Sequence, residues 1–223
     1  SIKQWKGAEP ANVQQIPGGG SNRTYFRMTD HEGQSIIGVI GTSRDEDHAF
    51  IYLTEHFNHR QLPVPKILAA SDDQLRYLQT DLGSMSLFDA IRGGREAGGR
   101  YTLKEQELLR RTIRELPNVQ IRGAIGLDFS NCYPQAEFDV DSVLFDLNYF
   151  KYCFLKATEI DFHELKLEAD FRLLAKDLTH DAYEIGDCFL YRDFQARNVM
   201  LDHEGHPFFI DYQGGRKGPF YYD

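Results

Sequence analysis

At residues 189–201 the chain reads FLYRDFQARNVML, and at residues 208–214 it reads FFIDYQG. Two apolar runs joined by a short polar segment that contains a glycine are typical of a β-hairpin. If the hairpin loop is at residues 203–206, three pairs of residues lie opposite each other on its two strands: Leu201 and Phe208, Val199 and Ile210, and Asn198 and Asp211. Opposed side chains lie about 5 Å apart at Cβ, so this register predicts that the Asn198 amide and the Asp211 carboxylate meet.

Asn198 and Asp211 together predict a metal site at the end of this hairpin. Amide and carboxylate oxygens are ligands that suit Mg²⁺ in a site that also holds substrate phosphates. Asp193 lies five positions before Asn198, on the loop that enters the hairpin. A carboxylate there can accept the proton of an attacking hydroxyl group, which is the arrangement of the kinase catalytic loop. The alternative is a surface hairpin with incidental acidic residues.

A glycine-rich turn lies between the first two predicted strands. Glycine permits positive φ and close approach of the backbone, so the N–H groups of such a turn can cradle phosphate oxygens. A glycine run is also typical of a plain hairpin turn, but its place at the start of a β-rich segment favours a phosphate loop. The residues that we assign to nucleotide binding here are Gly18, Gly19, Gly20, Ser21, Asn22 and Arg23.

The N-terminal part of the chain predicts a β-rich lobe with one helix. Segments rich in β-branched, aromatic and other apolar residues predict strands at residues 13–16, 24–28, 35–40, 67–70 and 75–79. Ser43 and the acidic residues after it predict the start of a helix, because side-chain oxygens cap the free N–H groups of a first turn. Phe50, Leu53 and Phe57 recur at helical spacing on one face of that helix, and Pro63 ends it.

The C-terminal part of the chain predicts mainly helices. They are expected at residues 87–91, around 109–116, at 145–155 and at roughly 164–178, with a loop-rich insert at residues 117–142. A β-rich lobe, a short connector and a helical lobe together make an α+β arrangement.

The motifs of the hairpin resemble a known family. YRDFQARNVM at residues 191–200 and FIDYQG at residues 209–214 are similar to motifs of the aminoglycoside phosphotransferase family of kinase-like enzymes. The similarity runs over essentially the whole chain: residues 18–27 resemble the nucleotide loop of the family, and residues 78–83 resemble its interlobe hinge. It is strongest to the bacterial sugar kinases that act on N-acetylmuramate and N-acetylglucosamine, whose loop similarly has Arg-Asp in place of the His-Gly-Asp of antibiotic-resistance enzymes.

This resemblance implies a protein-kinase-like fold of two lobes, with ATP and Mg²⁺ in the cleft and a small hydroxylated substrate. Within the α+β arrangement we place the N-terminal nucleotide-binding lobe and hinge at residues 1–82, and the helical lobe with the catalytic loop at residues 83–223. Folds of the family continue with further helices, so we expect the helical lobe to be incomplete and Asp223 to cap the next helix.

The hinge predicts where the adenine ring binds. A segment between two lobes can offer backbone N–H and C=O groups to the base, and the candidates are Gln79, Asp81 and Leu82. Three apolar residues can enclose the ring or belong simply to the core: Ile16, Ile37 and Met200.

The acceptor substrate is expected against the helical lobe, near Asp193 and the aromatic segment at residues 146–162. The side chains that flank this place are Arg192, Gln195 and Arg197. Of these, Arg192 is more typical of a residue that orients the loop than of one that touches substrate.

One departure from the kinase pattern concerns the positive charge that pairs with the nucleotide phosphates. Kinases of this fold place a Lys on the third strand, where it pairs with a Glu of the following helix. Residues 36–40 here read IIGVI and contain no Lys, and Glu55, at the expected helix position, lacks that partner. The three candidates to supply the charge instead are Arg23, Arg27 and Arg44.

Composition excludes several classes of function. The net charge of −9 and the pI of about 5.4 argue against a nucleic-acid partner, although an acidic surface would suit a cationic substrate. Three widely spaced cysteines fit the reduced thiols of a cytoplasmic protein. The sequence contains no apolar run long enough to span a membrane.

Three hypotheses about function remain open at this point. The Arg-Asp loop favours an ATP- and Mg²⁺-dependent sugar or amino-sugar kinase. The acidic balance favours a kinase for an amino alcohol such as choline or for an aminoglycoside. The absent Lys and the short C-terminus favour a non-catalytic module that only binds nucleotide.

Overall fold

The computed structural model describes residues 9–17, 22–180 and 188–223 of the chain. Its N-terminal part is a five-stranded antiparallel sheet with the strand order β1-β2-β3-β5-β4. The strands are β1 (Asn12–Ile16), β2 (Thr24–Thr29), β3 (Ser35–Ile40), β4 (Ile67–Ala70) and β5 (Arg76–Thr80). The sequence predicts all five of them, with bounds that agree to within one residue.

Helix α1 (Arg44–His59) packs against this sheet. It begins where the sequence predicts, because the Ser43 side chain accepts the backbone N–H of Glu46 at 3.5 Å and so caps the first turn. The predicted apolar face is buried, and the Phe50 ring stacks on Tyr77 of β5 with 5.4 Å between the ring centroids. The sheet and α1 therefore share one core.

Helices are the main regular structure in the rest of the described chain, and with the sheet they confirm the α+β class. They are α2 (Leu87–Ala90), α3 (Arg92–Glu96), α4 (Leu103–Pro117), α5 (Val140–Cys153) and α6 (Glu164–His180). Helix α5 begins before the predicted start at residue 145, because the Asp139 side chain accepts the N–H of Ser142 at 2.9 Å. The expected loop at residues 117–142 contains a π-helical turn at Asn118–Arg122. The boundary between residues 82 and 83 stays a prediction.

The core joins α1 to the C-terminal segments that carry the predicted catalytic residues. The Phe57 ring lies 5.0 Å from Phe189 and 5.3 Å from Tyr212, measured between centroids. Four short strands form two antiparallel pairs here: β6 (Phe189–Leu190) with β9 (Arg216–Lys217), and β7 (Val199–Leu201) with β8 (Pro207–Phe209). One helix thus anchors both the sheet and the loop between β6 and β7.

The surface of α5 and α6 carries apolar side chains, including Phe145, Tyr149, Leu165 and Leu173. Even so, none of the helices in the described part of the chain is both long and apolar enough to cross a bilayer.

Thr102 begins α4 with a capping box. Its hydroxyl accepts the N–H of Glu105, and the Glu105 carboxylate accepts the N–H of Thr102 at 2.8 Å. We expect Thr102→Ala to lower the free energy of unfolding by about 1 kcal/mol, the usual effect of removing such a cap. Urea denaturation measures it, with Thr42→Ala at an exposed loop position as control; equal stability of both variants would contradict the capping role.

Candidate active site

The β7–β8 hairpin forms in a register that differs from the predicted one. The opposed residues are Val199 with Phe209, Met200 with Phe208, and Leu201 with Pro207. The prediction that opposes Leu201 to Phe208 is therefore wrong by one position. The turn is wider than predicted because Asp202 belongs to it, and the Asp202 carboxylate accepts the backbone N–H groups of Glu204 and His206 at 2.9 and 2.8 Å.

Asn198 and Asp211 meet in spite of this shift. Both lie just beyond the paired residues, where the N–H of Ile210 donates to the C=O of Asn198 at 3.0 Å. Asp211 then adopts a left-handed conformation with φ of 66°, which is uncommon for a residue with a side chain. In this conformation Nδ2 of Asn198 donates to Oδ2 of Asp211 at 3.3 Å.

The oxygens at this point fit a divalent cation. The buried Asn198 side chain also donates from Nδ2 to the C=O of Asp193 at 3.0 Å. Both of its hydrogen bonds use the nitrogen, which leaves the amide oxygen as the group available to a cation. Together with the Asp211 carboxylate it offers the hard oxygen donors that Mg²⁺ prefers.

Asp193, the predicted base, is an exposed residue of the loop between β6 and β7. Although the residue surface is exposed, the surrounding residues partly desolvate its carboxyl group, which raises the pKa of that group, and the like charge of Asp211 raises it further. The structure therefore brings Asp193, Asn198 and Asp211 together at the mouth of one hairpin. Their chemical roles stay predictions.

The Asp223 carboxylate binds the backbone of the loop between β6 and β7. Its Oδ2 accepts the N–H of Tyr191 at 2.9 Å, its Oδ1 accepts the N–H of Arg192 at 2.7 Å, and Gln120 donates to it at 2.8 Å. Arg192 has a φ of 77°, a strained conformation that persists when surrounding contacts enforce it. The Asp223 carboxylate, expected to cap a further helix, is thus taken up by the loop, a contact across 31 residues with no local sequence signal.

The three residues predicted to flank the acceptor differ in their surroundings. Arg192 pairs with Asp146 at 3.1 Å, and its guanidinium lies 4.7 Å from the centre of the Phe138 ring; its role in orienting the loop stays a prediction. Gln195 and Arg197 are exposed, and the Arg197 guanidinium stacks on Phe88 of α2 at 4.2 Å.

Arg23 occupies the position that faces the start of α1. The residue is buried, its Nε donates to Oδ1 of Asp47 at 2.7 Å, and its Nη2 lies 3.2 Å from Oε1 of Glu46. Glu55, the acid expected on this helix, is exposed. Arg23 directly precedes β2 and lies beside the first turn of α1. It therefore pairs with the acids of that turn, Glu46 and Asp47, and not with Glu55.

The other two candidate arginines lie elsewhere. Arg27 donates to Asp81 at 2.6 and 3.0 Å, and Arg44 is exposed. The Asp81 carboxylate also accepts from Ser35 at 2.7 Å and from the N–H of Gly83 at 2.9 Å. The Asp81 side chain therefore connects the hinge to the sheet. Only the backbone of Asp81 is then available to an adenine ring.

The remaining nucleotide candidates are placed in part. Gln79 is buried, and its Oε1 has no hydrogen-bond partner in the described part of the chain. Leu82 is half-buried and Asn22 is exposed. Of the residues considered for the sides of the ring, Ile37 is buried while Ile16 and Met200 are half-buried. Four candidates lie outside the described residues: Gly18, Gly19, Gly20 and Ser21.

Residues 12–223 match the family described as "Phosphotransferase enzyme family". No significant match exists among the curated proteins. Many solved structures are similar, and the three described next each cover nearly all of this chain.

The streptomycin–ATP complex of APH(2″)-IIa has a TM-score of 0.62 at 14% identity, over 98% of this chain and 70% of that one. Aminoglycoside phosphotransferase APH(4)-Ia has a TM-score of 0.60 at 14% identity, over 99% and 72%. Choline kinase LicA from Streptococcus pneumoniae has a TM-score of 0.58 at 12% identity, over 100% and 70%. These likenesses confirm the predicted kinase-like fold.

Proposed function

Because the chain belongs to the phosphotransferase enzyme family, we propose that it transfers the γ-phosphoryl group of ATP to a hydroxyl group of a small molecule, with Mg²⁺ as cofactor. The observation that carries this proposal is the convergence of Asp193, Asn198 and Asp211 at the mouth of the β7–β8 hairpin. A base and two oxygen ligands in this arrangement are what phosphoryl transfer to an alcohol requires.

Each residue of this group has one task in the proposed reaction. Asp211 and the amide oxygen of Asn198 hold Mg²⁺, which when bound neutralises charge on the phosphates. Asp193 accepts the proton of the acceptor hydroxyl. As that O–H bond breaks, the acceptor oxygen forms a bond to the γ-phosphorus, and the bond from this phosphorus to the bridging oxygen of ADP breaks. The Asn198 bond to the Asp193 carbonyl keeps the base beside the ligands.

Arg23 supplies the positive charge that the absent Lys would provide. It directly follows the proposed phosphate loop at residues 18–22 in sequence, and its pairing with Glu46 and Asp47 fixes it beside α1. The proposed adenine site is the backbone of the hinge at Gln79, Asp81 and Leu82.

Arg23→Ala is expected to weaken ATP binding by about 1–3 kcal/mol, the scale for losing a charge-assisted hydrogen bond. Because this change also leaves Asp47 buried without its partner, Arg23→Lys is measured beside it and should retain part of the affinity. Calorimetric titration with ATP checks both variants, and a melting curve confirms that each is folded. Arg44→Ala, at an exposed arginine of the same helix end, should bind as the parent does; unchanged affinity in Arg23→Ala would contradict the assignment.

The acceptor that we propose is a sugar or amino sugar, since the loop has Arg-Asp before the hairpin, as in the N-acetylmuramate and N-acetylglucosamine kinases. A kinase for aminoglycosides or for an amino alcohol is the second candidate, because similar folds include aminoglycoside phosphotransferases and a choline kinase. We further propose a cytoplasmic site of action, where ATP is available and where cysteines without disulfides are usual.

An acceptor panel with γ-labelled ATP tests the function. Transfer of label to N-acetylmuramate or N-acetylglucosamine supports the first candidate, and transfer to choline or an aminoglycoside supports the second. Mg²⁺-dependent ATP binding with no transfer to any acceptor would instead indicate a non-catalytic nucleotide-binding module.

A further inference from the structure

Gln213 lies between the two parts of the proposed site. Its Nε2 donates to Oδ1 of Asp211 at 2.9 Å and to Oε1 of Glu46 at 3.3 Å. The same Oε1 of Glu46 lies 3.2 Å from Nη2 of Arg23. The Gln213 amide therefore connects the Asp211 carboxylate to the ion pair of Arg23 and Glu46 at the start of α1.

The Asp211 carboxylate is held on both of its oxygens by amides. Asn198 donates to Oδ2 and Gln213 donates to Oδ1. The backbone of Asp211 has a φ of 66°, and a residue in this conformation keeps it only where the surrounding contacts fix it. The Asn198 bond is the longer one, at 3.3 Å against 2.9 Å. Gln213 thus makes the shorter of the two contacts that orient this carboxylate.

The orientation of the Gln213 amide follows from its neighbours. An amide nitrogen carries two hydrogens and can serve two acceptors, and here both acceptors are carboxylate oxygens. The opposite orientation would place the amide oxygen against these two carboxylates and lose both bonds. With the nitrogen donating to both Asp211 and Glu46, the Oε1 atom of Gln213 is left without a hydrogen-bond partner within the described residues.

We propose that Gln213 is a positioning residue that couples the Asp211 carboxylate to the Arg23–Glu46 pair. The orientation of Asp211, the proposed Mg²⁺ ligand, then depends on the position of Arg23, the proposed phosphate-binding arginine. The metal site and the phosphate site are thereby coupled through one side chain. This inference rests on the proposed function of Asp211 and Arg23. Gln213 itself touches neither substrate nor cofactor in this role.

Calorimetric titration with ADP, in Mg²⁺ and in EDTA, tests this coupling. Gln213→Ala should raise the Kd for ADP in Mg²⁺ by about tenfold, the range for losing a hydrogen bond to a charged group, and leave the Kd in EDTA unchanged. Gln213→Met, which keeps the length of the side chain without its N–H donors, should be impaired to the same degree. Full affinity in Gln213→Met would show that the side chain only fills space and would overturn the inference.

A double-mutant cycle with Glu46→Gln tests the connection to α1. If Gln213 acts through Glu46, the double variant binds ADP in Mg²⁺ no more weakly than the weaker single variant, whereas independent effects would multiply and contradict the coupling. Gln61→Ala, at an exposed glutamine just beyond the far end of α1, is the matched control and should bind as the parent does.

Asp211→Asn distinguishes failure of the Gln213 inference from failure of the proposed metal site. If Asp211→Asn reduces Mg²⁺-dependent binding but Gln213→Ala does not, only the inference about Gln213 fails. If neither changes binding, the proposed metal site fails with it.

Discussion

Asp193→Asn should lower turnover by about 10²–10⁴-fold, the range for losing a positioned general base. The same change should leave the affinity for Mg²⁺–ATP within a few-fold of the parent, because Asp193 is assigned to the acceptor proton and not to the metal. The contact of Asn198 with the Asp193 carbonyl uses the backbone, so it survives the substitution. Single-turnover kinetics on the best acceptor, beside calorimetric titration with Mg²⁺–ATP, measure the two quantities.

The raised pKa of Asp193 adds a test that depends on pH. A base must be ionised, so kcat/KM should be full above the pKa of Asp193 and fall as the pH drops through it, at a pH above the ordinary value of about 3.9. The sign for stability is opposite: a carboxyl whose pKa is raised in the folded state costs stability once it is ionised. Asp193→Asn should therefore keep or raise the melting temperature at neutral pH. A folded Asp193→Asn variant with full turnover would remove Asp193 from the role of base.

Local sequence patterns predict the five strands of the N-terminal sheet, α1 and the approach of Asn198 to Asp211, but not strand β9. Ser43 locates the start of α1 because a cap is a local contact, and each strand is recognised from its own residues. The hairpin register is a harder case, since one residue added to the turn shifts every pair. Asn198 and Asp211 still meet, because the left-handed backbone of Asp211 compensates for the shift. The correct pair was predicted for a partly incorrect reason.

Contacts between distant segments could not be predicted from the sequence. Arg23 contacts Asp47 across 24 residues and Gln213 contacts Glu46 across 167. Neither contact leaves a periodic pattern in the chain, and the first turn of α1 holds three acids that resemble ordinary capping residues. The sequence shows that β3 contains no Lys, but the contacts of Arg23 with Asp47 and Glu46, on which its proposed role rests, are visible only in the structure. Asp223 is a similar case, since its carboxylate accepts hydrogen bonds from two backbone N–H groups 31 and 32 residues away and from the side chain of Gln120.

Asp211→Asn should weaken Mg²⁺-dependent nucleotide binding as well as turnover, in contrast to Asp193→Asn. The carboxylate is the only charged oxygen ligand in the proposed set, so its removal takes away the main charge partner of the ion. Asn198→Ala removes a neutral ligand and should act in the same direction with a smaller effect. Titration of each variant with ATP at a series of Mg²⁺ concentrations measures the loss, and we expect Asp211→Asn to show the weakest dependence on Mg²⁺.

The comparison needs a control for the fold, because both substitutions alter contacts near the hairpin. Asp72→Asn, an exposed aspartate in the turn before β5, makes the same chemical change away from the site and should match the parent in binding and in turnover. Asn at position 211 keeps the side-chain length, so Asn198 can still donate to its oxygen and the hairpin should persist, which a melting curve verifies. If Asp193→Asn abolished Mg²⁺-dependent binding while Asp211→Asn left it intact, the two aspartates would have exchanged roles. The ion would then have to be held by the loop between β6 and β7, although the loop carboxylate is the one whose pKa is raised by desolvation.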